Sequence, residues 1–514
     1  MLSVSNILLL GLPVVAFGFE TCKELTNCVD CTETSFRCGW NEDEGKCGIR
    51  TSLHSDSTLI FDDTCPVDYG TSQFLSDWMG SVMPIIGDST LLDLSLPGTH
   101  DTLTYDLSTT VSEGGMDEAL RLAQLLHKAT SVVPDFIEDY IRSGAQCQDL
   151  SITQQLDAGI RFLDIRMMLE YTDSPSVWYS LHMMQSRSPS LEYFKQIRSW
   201  MDTHPSEVVV MWLSKHGSEC ATGEDQYPKV GIEQKQRFWG EILHVFEGVA
   251  VDFSQTRLNE TSVSDMVQRG HRAAFYVADF VEMTGYSADS SPRFALDSCL
   301  IDNQLGTSGY TDAVQKQRDT YAAADARKAA DKSEQRFYLL SLAGNMDYTN
   351  AALIKFSPFD VLANDTALTA KCAATFGLDG MDWCPETLLD GSQLNNYYAQ
   401  VALGELAEKT LAGDFTLGLP NAIYINAIGS IEGTIRTGTR VLWGKDRSPD
   451  AKHAEQGYAY SDTFVLYNVV KACRVDPSGL EGACAESIDM LSKRVAANPM
   501  TLWDDAVYGR LSTW

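Results

Sequence analysis

Three short stretches of this chain carry side chains that can move protons and hold an anion. The first is Thr99-His100-Asp101, an imidazole beside a carboxylate. Histidine titrates near neutral pH and a carboxylate can orient it, so the pair can serve in general acid–base chemistry. The second is Asp164-Ile165-Arg166. On a strand, residues two apart share a face, which aims the acid and the guanidinium the same way. Inside an apolar strand such a pair must be satisfied by its own members or by a ligand. The third is Leu181-His182, a second imidazole at a strand end. Two histidines flanking a phosphodiester can divide the roles of base and acid, while a guanidinium stabilises charge on the phosphoryl oxygens. The competing reading makes the first pair a helix cap, the second a buried salt bridge and His182 a satisfied polar residue.

The elements that would position these residues are legible around them. Leu92, Leu94 and Leu96 read as a buried strand that Pro97-Gly98 stops, which leaves His100 just past a C-terminal strand end. That rim is where α/β folds place their chemistry. Ser151 and Gln154 form a capping box that starts a short helix, and Gly159 ends it. The chain then enters the apolar run from Ile160 to Met167, followed by a third strand over Val177 to Met183. The long segment from Thr102 to Leu150, with helical patches at 116–128 and 133–143, reads as a lid or substrate rim. An Ala-rich helix over 322–332 reads as scaffold.

A formal net charge of -31 over 514 residues argues against nucleic acid and against electrostatic docking on an anionic leaflet. Residues 1–18 read as a signal peptide, with an apolar core at Ile7 to Val15 and small residues at the cleavage position. A secreted, extracellular location suits the 13 cysteines and the sequons at Asn259 and Asn364. Six cysteines, Cys22, Cys28, Cys31, Cys38, Cys47 and Cys65, crowd into residues 19–66. So short a block needs staples, either disulfides or, as the competing reading, zinc. Cys372 with Cys384 and Cys473 with Cys484 are spaced to close locally, and Cys147, Cys220 and Cys299 remain.

Taken together, Leu96 to Asp101, Gly159 to Arg166 and Leu181-His182 resemble the phosphatidylinositol-specific phospholipase C X-domain superfamily, most closely its bacterial-type, single-domain members. Glu207 to Lys215 looks like the family's fourth strand, ending in an inositol-contacting Lys215. Apolar runs at Ala273 to Val277, Phe337 to Leu342 and Ala422 to Ile428 supply further strands. The resemblance implies an α/β fold, an irregular (β/α) TIM-type barrel over residues 67–445. It would be preceded by the disulfide-rich module, which resembles those of plexins, semaphorins and integrins, and followed by an extension over 446–514. By the same resemblance His100 takes a proton from the inositol 2-hydroxyl, His182 protonates the diacylglycerol oxygen and Arg166 holds the phosphoryl oxygens. Asp101 would orient His182, and Asp164 would orient Arg166. Asn426 falls where bacterial relatives carry the carboxylate partner of the base, a departure that leaves His100 less basic. The expected partners are a phosphoinositide or glycosyl-phosphatidylinositol lipid and, transiently, a membrane surface. No cofactor or metal is expected, because Arg166 stands where calcium-dependent relatives present an acid. A catalytically silent binding module on the same barrel is the alternative. A metal-dependent glycerophosphodiesterase or sphingomyelinase D would need a His-Arg start and Glu-x-Asp ligands that are missing.

Overall fold

The computed structural model describes three short strands between residues 38 and 60, most of 73–112, 142–170, 177–214 and 232–277, and then 301–304, 337–341, 409–413, 419, 421–426, 459–475 and 480–497. The expected leader, the pairing of the six N-terminal cysteines, the helices at 116–128 and 133–143 (Arg142 apart) and Lys215 lie outside the described residues. So do the 322–332 segment, Cys220, Cys299, Cys372, Cys384, the Asn364 sequon and residues 498–514.

The chain divides into two compact units, Met1–Val67 with Arg436–Val441, and Asp68–Ile435 with Leu442–Trp514. The first contains a small antiparallel sheet. Its strands β1 (Cys38–Asn41), β2 (Lys46–Ile49) and β3 (Leu59–Ile60) lie in the order β2-β1-β3.

The second unit is mixed α/β. Helix α1 (Trp78–Ile86) leads to β4 (Leu96–Thr99) and β5 (Leu107–Val111). Helix α2 (Ile152–Asp157) precedes β6 (Phe162–Glu170), β7 (Val177–His182) and β8 (Met184–Pro189). Helix α3 (Ser190–Thr203), β9 (Val209–Ser214), α4 (Ile232–Val245), α5 (Val263–Gln268) and β10 (Ala273–Val277) follow. The last strands are β11 (Ile301–Gln304), β12 (Tyr338–Ser341) and β13 (Ala422–Ile425), and α6 (Ala459–Val475) and α7 (Glu481–Ala497) complete the unit.

Seven strands run parallel in the order β11-β12-β13-β4-β6-β9-β10. Among the described residues β10 and β11, the two ends of this run, do not pair. A ladder between them would close the sheet into the irregular TIM-type barrel expected from sequence; the described residues form a mixed α/β sheet without that closure. Strands β4, β6, β9, β10 and β13 are buried on both faces wherever described, as a parallel sheet covered by helices requires, and Val208 to Leu213 and Ala422 to Ile425 are almost wholly enclosed. Phe162 stacks with Phe337 and Tyr424 at the centre of this core.

Strand β6 changes partners along its length. Phe162 to Arg166 pair in parallel with β9, whereas Met167 to Glu170 pair antiparallel with β7. The ribbon β7-β8-β5 therefore branches from the sheet directly after Arg166, and it carries His182 at the end of β7.

The start of β4 corrects the sequence reading. Leu91–Asp93 form a 3-10 turn capped by Thr90 and Asp93, and the strand begins only at Leu96. Pro97 and Gly98 lie within it and do not end it. Proline lacks only the N–H, and the Pro97 carbonyl still accepts from the Arg161 amide at 2.9 Å. Gly98 permits a close approach, since a Cβ there would come within 2.9 Å of the Ile423 carbonyl oxygen and of the Phe162 ring. His100 still follows the C-terminal end of the strand.

At the opposite end of the strands Arg161 and Glu207, both fully buried, form an ion pair at 2.7 Å. Arg161 also donates to the carbonyls of Leu75, Ser76, Leu156 and Ile160, and Glu207 accepts from the amides of Met79 and Gly80. This pair ties α1 and α2 to the entry of β6 and β9, a structural role.

The α2 capping box forms as read: the Ser151 amide donates to Gln154 Oε1 at 2.9 Å, and Gly159 takes the left-handed conformation (φ 92°) beyond the helix end. Asn468 of α6 exchanges hydrogen bonds with the Ser95 backbone, and Tyr460 Oη donates to the Ile423 carbonyl, which seats α6 against β4 and β13. The local disulfide expected between Cys473 and Cys484 is made, joining α6 to α7.

Candidate functional site

The parallel pairing places β4, β6 and β13 side by side, so their C-terminal ends meet. Thr99 is in register with Leu163 on one side and Ile425 on the other. One residue further, the His100 amide donates to the Ile425 carbonyl, and His100 Nδ1 lies 2.7 Å from Asn426 Oδ1. Gln148 fastens this junction, donating from Nε2 to the carbonyls of both His100 and Ile425. The His100 ring stacks on Tyr424, 5.4 Å away and 7° from coplanar.

Arg166 binds the rest together. Its Nε pairs with Asp101 Oδ1 at 2.6 Å, and its Nη2 reaches Asp164 Oδ2 at 3.2 Å and His100 Nε2 at 2.6 Å. Arginine can only donate, so Nε2 is the unprotonated nitrogen of His100. Nδ1 then carries the proton toward Asn426 Oδ1. Asp101 and Asp164 are fully buried, and His100 and Arg166 nearly so. Burial, followed by the positive charge of Arg166, holds the His100 pKa below its ordinary value, against the opposing pull of Asp101 and Asp164. Burial works against ionisation of Asp101 as well, yet Arg166, His100 and His182 together hold its carboxyl at about 2.

His182 arrives from the antiparallel ribbon and faces the same cluster. Its Nδ1 donates to the Ala145 carbonyl at 2.6 Å, which directs Nε2 away from the backbone. Asp101 Oδ2 is 3.9 Å from Nδ1, too long for the direct orienting bond expected from sequence. Cys147, fully buried and the described cysteine with no disulfide, lies between the two. Its Sγ is 3.4 Å from Asp101 Oδ2 and 3.5 Å from His182 Nδ1. Burial and the Asp101 charge push the thiol far above its ordinary pKa, so it is a neutral S–H donor.

Two non-glycine residues among those described have positive φ, Asp101 (44°) and Met183 (59°). Both adjoin a histidine of this cluster. Left-handed backbone away from glycine is uncommon and concentrates where a side chain must be held in one direction.

The structure thus brings together His100, Asp101, Asp164, Arg166, His182 and Asn426, and Lys215 lies outside the described residues. Sequence reasoning did not find Gln148 or Tyr424, and it left Cys147 among the unassigned thiols. Gln146-Cys147-Gln148 sits in irregular chain, where no periodicity marks a residue as facing the site. His100, Asp101 and Cys147 are close enough to present a nitrogen, an oxygen and a sulfur to one metal ion. The guanidinium already bound to both His100 and Asp101 opposes a cation there, and the residues do not fit one.

The PI-PLC X family model, PI-PLC X 1, matches residues 140–232, which include Asp164, Arg166 and His182. The human PI-PLC X domain-containing protein 1 is 35% identical over 137 residues, covering 26% of this chain and 40% of that protein. Its Danio rerio counterpart is 34% identical over 138 residues, covering 27% and 43%. The match therefore spans about two fifths of the length of these relatives. Among solved structures, a phosphatidylinositol-specific phospholipase C from Listeria monocytogenes aligns over 69% of this chain and 94% of its own, at 16% identity and a TM-score of 0.36. One from S. aureus aligns over 69% and 92%, at 13% identity and a TM-score of 0.38.

Proposed function

We propose that the chain is a phosphodiesterase that cleaves inositol phospholipids, either phosphatidylinositol or a glycosyl-phosphatidylinositol. The supporting observation is the convergence around Asp101 and Asp164 of His100, just past β4, Arg166, where β6 leaves the parallel sheet, and His182, at the end of β7. His100 Nε2, unprotonated and held on its far side by Asn426, accepts the proton of the inositol 2-hydroxyl as that oxygen attacks phosphorus in line. Arg166 turns its Nη2 from His100 to the phosphoryl oxygens, which places fixed positive charge where negative charge grows. His182, protonated, donates from Nε2 to the departing diacylglycerol oxygen while Nδ1–H stays on the Ala145 carbonyl. One phosphorus–oxygen bond forms and one breaks, one proton is taken and one is given, and the product is a cyclic inositol phosphate. The reaction needs no metal, since Arg166 supplies the charge. The apolar run from Ile7 to Val15 and the Cys473–Cys484 disulfide support an extracellular setting, with transient contact at a membrane surface.

The test is product analysis after incubating the full chain with a panel of phosphatidylinositol, glycosyl-phosphatidylinositol, phosphatidylcholine and glycerophosphodiesters. Appearance of a cyclic inositol phosphate is the expected result. Tight binding of an inositol lipid without cleavage would establish the silent binding module instead.

A further inference from the structure

We infer that Cys147 is a positioning residue for the acid histidine, linking the Asp101 carboxylate to His182 through its thiol. The inference rests on the phosphodiesterase reading. Asp101 and His182 stand 3.9 Å apart, beyond hydrogen-bond reach, with the sulfur between them at 3.4 and 3.5 Å. Sulfur is larger than oxygen, and hydrogen bonds through it are correspondingly longer, so the thiol reaches both Asp101 Oδ2 and His182 Nδ1 across a gap too long for a direct bond.

Direction follows from the partners. Asp101 is ionised and can only accept, so the neutral thiol donates its S–H to Oδ2. Its lone pairs then face His182 Nδ1–H, whose main acceptor is the Ala145 carbonyl. Ala145 and Cys147 belong to one short segment. That segment is fixed by the Cys147 amide, which donates to Thr104 Oγ1 at 3.0 Å, while Thr104 Oγ1 donates to the Asp101 carbonyl. The same few residues therefore set the Asp101 backbone and both partners of His182 Nδ1. The Cys147 thiol reaches Asp101, the Ala145 carbonyl and His182 Nδ1, and His182 is the proton donor of the proposed reaction, so the expected effect falls on protonation of the leaving group.

This selectivity supplies a test. An acid matters when the leaving group is a poor one, such as a glyceryl alkoxide, and matters little when it is an aryl oxide that departs unprotonated. Cys147→Ala and Cys147→Ser are assayed in the full chain on phosphatidylinositol and on an inositol aryl phosphodiester, with His182→Ala in parallel. Protonation by one positioned acid is worth roughly 100- to 10,000-fold, and misplacing it should lose part of that, about 10-fold for Cys147→Ala on phosphatidylinositol. The aryl substrate should be turned over almost as by wild type. Cys147→Ser, which keeps a donor on a shorter arm, should fall between and guards against a folding defect in the alanine variant. Equal losses on both substrates, or no loss on either, would overturn the role of Cys147. If His182→Ala itself shows no preference between the substrates, the phosphodiesterase reading fails, an outcome distinct from failure of the thiol link.

Discussion

Arg166 Nη2 lies 2.6 Å from His100 Nε2, so the group that would hold the phosphate also covers the nitrogen that would take the proton. A phosphoryl oxygen competing for that guanidinium would uncover the base as it binds. Binding of the anion and release of the base are then one event.

Arg166 is expected to tolerate neither Ala nor Lys. Lysine keeps the charge but cannot span Asp101, Asp164 and a phosphoryl oxygen with a planar fork. Both variants should lose most activity, Arg166→Lys less than Arg166→Ala, and wild-type activity should survive exhaustive EDTA. Turnover abolished by EDTA and restored by calcium would refute this assignment.

His100→Ala and His182→Ala should each reduce kcat by roughly 100- to 10,000-fold, the usual worth of one positioned proton-transfer group. Near wild-type turnover in either variant, with an unchanged circular dichroism spectrum, would remove that residue from the chemistry.

The pH profile should report His100. Its pKa is lowered by burial and by Arg166, so it stays neutral below its ordinary 6.5 and the acid limb of kcat/KM should lie under that value. Stability follows the same sign: as pH falls below 6.5 the unfolded chain takes up a proton that the folded chain resists, and stability declines. Asp101, depressed to about 2, loses its contribution only between its ordinary 3.8 and that value. Asn426→Asp sets a carboxylate against Nδ1 and favours the imidazolium, so it should move the acid limb upward by about 1 unit or more. A limb that does not move would detach Asn426 from His100.

Arg161 and Glu207 should behave in the opposite way from Arg166. Glu207→Gln breaks a fully buried pair at the far end of the strands, and loss of one partner typically costs roughly 3–5 kcal/mol. Denaturant melts should show that loss, while kcat/KM per folded molecule stays unchanged. A stable variant with reduced kcat would mean that the two ends of the sheet are coupled.

Much of this was legible in the chain because a strand advertises itself. Phe162 to Arg166, Val209 to Leu213, Ala273 to Val277 and Ala422 to Ile425 are apolar runs of strand length, and each became a parallel strand. The spacing of Asp164 and Arg166 gave their shared face directly. Strand β8 was missed because Met184-Gln185-Ser186-Arg187-Ser188-Pro189 is polar and alternates weakly; its pairing is stabilised by β5 and β7 on either side. Cys147 and Gln148 were beyond reach for a different reason: their roles depend on long-range packing, and nothing local distinguishes them from loop residues. Leu92 and Leu94 misled by imitating a strand, whereas the Thr90–Asp93 cap draws Leu91–Asp93 into a 3-10 turn and leaves Leu94 as its C-cap.

The change of partner along β6 divides the site mechanically. His100, Asn426 and Arg166 are held by the parallel sheet, where shifting one strand disturbs its neighbours on both sides. His182 stands at the end of β7 in a hairpin-like ribbon that pairs with β6 beyond Arg166. On the proposed reading, a proton donor on such an outrigger would be re-aimed by changes in β7, β8 or β5 while the strands that position His100 and Arg166 keep their register. Tolerance for different leaving groups would then drift while the half proposed to face inositol stays the same.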